Sequence, residues 1–177
     1  MNNFQVQYNP MLSFEEMAIR FLIAILLGAI IGLEREVVGK EAGIRTTMVV
    51  SCGASLFAMA AVTLPYLIAV SPSNLPDVIA RNSGFLPMAA NIVVGIGFLG
   101  AGIIIKDESS SHVRGLTTAA LIWFAAAIGT LVGIGLIDIA IFAALSVTLL
   151  LYILRKINLY ERLHIQNNQN KSSDNKD

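Results

Sequence analysis

The chain has 177 residues, 55% of them hydrophobic and 14% charged, with twelve basic and twelve acidic side chains that cancel at neutral pH. A mean hydropathy of +0.71 is too high for a soluble domain. The zero net charge, with basic residues not interleaved with aromatics, argues against a nucleic-acid partner, and Cys52, the single cysteine, excludes an intramolecular disulfide or a Cys-rich metal site.

Residues 1–12 read as a short polar tail. Ser13 and Glu16 then form a capping box that starts a helix. The first nineteen residues hold no Lys or Arg, so they lack the basic region of a cleaved signal peptide and the first span is expected to stay in the mature protein. Spans are predicted at 14–33, 46–64, 86–105, 116–133 and 137–154. No charge lies between Arg45 and Asp77, Arg81 and Lys106, or Arg114 and Asp138, and each gap exceeds the roughly 20 residues that cross a bilayer as a helix.

In the first span Glu16 and Arg20 have i,i+4 spacing, so Arg20 pairs locally or snorkels to the interface. Gly28 and Gly32 lie one turn apart and invite a close helix neighbour. The second span is predicted to end at Pro65, before the turn-forming Pro72, Asn74 and Pro76. In the third, GIGFLGAG at 95–102 formally contains GxGxxG. No strand precedes it, so Gly95 and Gly102 read as a packing face instead of a nucleotide loop. Asn91, in the same span, carries an amide that lipid cannot satisfy.

From Gly115 to Leu154 the sole charge is Asp138. One helix of that length would measure about 60 Å, so the run is split at Gly133 and Gly135 into two spans. Residues 1–155 thus form one all-α, polytopic transmembrane bundle of about five spans. Residues 156–177 form a polar tail expected to be disordered. With five spans, ten of the twelve Lys and Arg share one side, which places the N-terminus outside and the C-terminus in the cytoplasm.

Two charged edges fall on that cytoplasmic side. In the first, Glu34, Arg35 and Glu36 extend the first helix, Glu36 is spaced for a pair with Lys40, and Arg45 and Thr46 open the second helix. In the second, Asp107 precedes Arg114, Gly115, Thr117 and Thr118, which open the fourth. Helix N-termini and arginines attract negative groups. Three uses are open: an ion-pair network among these residues, a hard-cation site with Glu34, Glu36 and Asp107 as Mg2+ ligands, or binding of a lipid or a partner protein. The pattern of helix, charged link, Arg and Thr pair occurs twice, as in transporters built from repeats. His112 and His164 form no metal-ligand spacing. No nucleophile, base and orienter can be assembled, which argues for a non-enzyme with no bound cofactor other than Mg2+.

The stretches LLGAIIGLERE (26–36), AGIRTTMVVSCGASLF (42–57), GIGFLGAGIIIKD (95–107) and VRGLTTAALIWFAAAIG (113–129) closely resemble the MgtC/SapB family of bacterial membrane proteins. The resemblance implies a multi-pass protein of the bacterial cytoplasmic (inner) membrane linked to magnesium homeostasis, by Mg2+ binding or transport. It equally implies a regulator that acts on another membrane protein, such as the ATP synthase. Many members carry an ACT-like C-terminal domain, and this chain stops about twenty residues past Arg155, where only the membrane domain is expected. Membrane lipid is an expected partner, and the small bundle with its Gly28 and Gly32 face suggests a homo-oligomer, with a dimer preferred.

Overall fold

The computed structural model describes residues 12–37, 39–40, 42–68, 77, 85–106 and 113–174. Five described helices follow one another: α1 (Phe14–Val37), α2 (Ile44–Ile68), α3 (Phe85–Ile103), α4 (Leu116–Ile134) and α5 (Ile137–Asp174). Between α3 and α4, β1 (Ile105–Lys106) pairs antiparallel with β2 (Val113–Arg114). Four helices are long and apolar enough to cross a membrane, while the apolar part of α3, Pro87–Ile103, is shorter. At 19 residues α3 is nonetheless about 28 Å long, close to the thickness of the hydrocarbon core.

Local signals set the helix ends. Ser13 Oγ accepts from the Glu16 N–H at 3.2 Å while Glu16 Oε2 accepts from the Ser13 N–H at 3.1 Å, the expected capping box. α1 ends in a Schellman turn, with Gly39 at φ +66° and the Lys40 N–H donating to the Arg35 carbonyl. α4 ends the same way at Gly135, φ +96°, where the Leu136 N–H reaches the Leu131 carbonyl. The predicted split of the long apolar run therefore falls where the glycines put it.

α4 is the centre of the bundle and packs against each of the other four helices. Its Leu121, Ala125, Ile128 and Val132 recur every three or four residues and meet Ala24, Leu27 and Ile31 of α1 and Ala140 and Ala144 of α5. Lipid tails are as apolar as these side chains, so burial alone does not hold such helices together, and close contact must. Gly28 provides it for α1, because a Cβ there would lie 2.7 Å from the Thr47 carbonyl oxygen of α2. Gly133 provides it for α4, where a Cβ would lie 2.5 Å from the Ser55 carbonyl oxygen. α2 is thus clasped on two sides along Thr47, Ser51 and Ser55, all fully buried.

Several expectations need correction. The Gly28 and Gly32 face does not await another chain, since α2 covers it. Arg20 neither pairs with Glu16 nor snorkels freely: its Nη1 donates to the Gly133 carbonyl at 2.9 Å, bringing a cation to the C-terminal end of α4, where the helix dipole is negative. Pro65 does not end α2, which continues to Ile68; near a helix end a proline removes one backbone bond without stopping the chain. α5 runs beyond the predicted span end at 154, on to Asp174, through a stretch with no Gly or Pro to break it. Pro72, Asn74, Pro76, Arg81 and His112 lie outside the described residues.

Candidate functional site

The fold brings the two charged edges to one end of the bundle. Arg35 and Lys40, from the end of α1, and Arg114 to Thr118, from the start of α4, line a common polar cavity of about 530 Å3. The candidate residues have separate fates there. Glu34 is taken by its neighbour, since Arg35 Nε and Nη2 both donate to Glu34 Oε2 in a pair whose side chains are almost buried. Glu36 instead turns to α2, where its Oε2 accepts from the Ile44 N–H at 3.2 Å and caps that helix from outside. Two positions apart on a helix is about 200° of rotation, so the two carboxylates do not converge.

Asp107, the third proposed Mg2+ ligand, lies outside the described residues, as does Glu41. Among the described residues no group of three or more His, Cys, Asp or Glu is placed to hold a metal ion. The expected Glu36 and Lys40 pair is also absent, because Gly39 ends the helix before Lys40. Arg45 is exposed and Thr46 half-buried at the start of α2, and neither lines the cavity.

The two helix starts differ. α2 has the Glu36 carboxylate at its first turn. α4 has Gly115 at its N-cap, φ +85°, with no side-chain cap, because a Cβ there would strike the Ile103 carbonyl oxygen and only glycine fits. The first amides of α4 therefore face the cavity between Lys40 and Arg114 without a capping oxygen. Thr117 is exposed at the same rim, and Thr118, the next residue, is 2% exposed yet lines the cavity. The sequence named Lys40 only as a partner for Glu36, and Thr118 only with Thr117 as opening the fourth helix, not as lining one site. A glycine directly before Lys40 was the available signal for the first, whereas nothing in the sequence separates Thr118 from Thr117.

A second feature lies on α3. One stripe of it, Ile92, Ile96 and Gly100, turns inward, while Asn91, Gly95, Phe98 and Gly102 are exposed. Their spacing of four, three and four is that of a helix-packing seam. A Cβ at Gly95 or Gly102 would meet nothing within 4 Å. Asn91 and Gly95 also edge an apolar cleft of about 300 Å3 between α2 and α3, with Val50, Phe57 and Met88 among its walls.

A family model described as the MgtC family matches residues 21–160. The chain belongs to the MgtC family. YhiD of Escherichia coli K12 is 33% identical over 158 residues, covering 85% of this chain and 67% of YhiD. MgtC of Salmonella typhimurium LT2 is 42% identical over 117 residues, covering 66% of this chain and 43% of MgtC. The slr0014 protein of Synechocystis is 34% identical over 149 residues, covering 84% of this chain and 56% of that protein. This MgtC-family chain thus spans about two thirds of YhiD and less than half of MgtC, and its matched region contains both the cavity and the α3 seam. No solved structure matches it.

Proposed function

We propose that this chain is a bacterial cytoplasmic-membrane protein of magnesium homeostasis that acts by docking a helix of another membrane protein, not by conducting Mg2+. The link to magnesium rests on the family and on YhiD, whose name proposes a magnesium transporter. The basic residues support an outward N-terminus and a cytoplasmic C-terminus, with the polar cavity on the cytoplasmic side.

The observation that carries the docking reading is exposed Asn91 on the α3 seam. An amide facing lipid is unfavourable unless something satisfies it, and the open Gly95 and Gly102 allow a partner backbone to come close enough to do so. Against conduction, Glu34 and Glu36 are each engaged by other groups, and the cavity beside them is lined by three cations. Purified protein in liposomes loaded with a Mg2+-sensitive dye is expected to show no flux above empty vesicles under an imposed Mg2+ gradient. Saturable flux that Glu34→Gln abolishes would overturn the reading in favour of transport.

A further inference from the structure

We propose that the cavity at the start of α4 is a binding site for a phosphate group. This does not depend on the docking reading, since it rests on different residues at the cytoplasmic end of the bundle.

Three cationic side chains, Arg35, Lys40 and Arg114, converge on one cavity. Glu34 offsets Arg35, while among the described residues Lys40 and Arg114 have no carboxylate partner. The amides at the start of α4 are uncapped by any side chain, and a 19-residue helix places the positive end of its dipole there. Thr118 adds an independent indication: it is 2% exposed, it lines the cavity, and its hydroxyl has no hydrogen-bond partner among the described residues. A hydroxyl on the cavity wall can donate to a ligand oxygen there. Cations, free amides and a hydroxyl together select a tetrahedral oxyanion, and the guanidiniums suit phosphate oxygens. At about 530 Å3 the cavity has room for a phosphate ester with several waters of about 30 Å3 each. Leu116, more than half exposed on its wall, sets it beside the membrane, so the phosphate can come from an anionic lipid headgroup or from solution.

The test measures both sources on the full chain. Delipidated protein in neutral detergent is titrated with inorganic phosphate, and protein in phosphatidylcholine nanodiscs doped with phosphatidylglycerol is assayed for retained phosphatidylglycerol by native mass spectrometry. One equivalent bound in either arm is expected, and the arm that responds identifies the source. The double variant Lys40→Gln, Arg114→Gln should weaken that binding at least about tenfold, and Thr118→Val should weaken it several-fold, while Arg155→Gln on α5, which does not line the cavity, should leave it unchanged. Unaltered helical circular dichroism and monodisperse elution show that the variants fold. Saturable binding in neither arm, or binding reduced as much by Arg155→Gln as by the double variant, overturns the proposal.

Discussion

Replacing Gly129 by Ala tests how α2 and α4 are held. The added Cβ would overlap the Ser51 carbonyl oxygen and lie 2.7 Å from the Ser51 carbonyl carbon and 2.9 Å from its Cα. Carbon atoms prefer about 3.5–4.0 Å, so the helices must separate by about 1 Å. The obstacle is helix backbone, which has no rotamer to yield. Separation also loosens the next turn, where Gly133 sits against Ser55 and Ala58. Overpacking of this kind costs about 1–3 kcal/mol, against which the better helix propensity of Ala returns up to about 1 kcal/mol. Gly97→Ala is the matched control, because a Cβ there meets nothing within 4 Å and only the propensity gain remains. Reversible unfolding in mixed micelles should therefore place Gly129→Ala about 2 kcal/mol below Gly97→Ala, because the propensity gain is common to both variants and only the overpacking cost separates them. Equal stability of the two variants would refute the close-contact account of the bundle.

Other outcomes follow from the charged contacts. Glu34→Ala leaves Arg35 nearly buried without its partner, and should destabilise the fold by about 3 kcal/mol in the same unfolding assay, more than Glu34→Gln, which keeps an acceptor. Arg20→Ala removes the donor to the Gly133 carbonyl and should cost about 1–2 kcal/mol, whereas Arg20→Lys should recover part of the loss through the charge at the helix end. Glu36→Ala removes the acceptor for the Ile44 amide and should cost about 1 kcal/mol, with faster hydrogen exchange confined to the first turn of α2.

Much of the bundle was legible because the signals were local. Charge-free stretches located the spans, the Ser13 and Glu16 box fixed the first helix start, and Gly135 marked the turn between α4 and α5. The errors came from contacts between distant segments. Arg20 has Glu16 at the right spacing, yet its partner is 113 positions away. Gly28 and Gly32 declare a close approach but cannot say whose backbone fills it. The edges were recognised as paired, and their chemical inequality was not: Glu36 reaches α2 across the first connection, whereas Gly115 starts α4 with no side-chain oxygen. The β1 and β2 pair is too short to leave a period in the sequence.

The central claim is that the exposed α3 seam holds a helix of another membrane protein. Its most direct test is photo-crosslinking in native membranes from a benzoylphenylalanine at Phe98, which is 85% exposed, with the same probe at Phe142 of α5 as a lipid-facing control. A single adduct with a different membrane protein is predicted at position 98, lost with Asn91→Leu and absent at position 142. Adducts with lipid alone, with a second copy of the chain, or equally at both positions would contradict it.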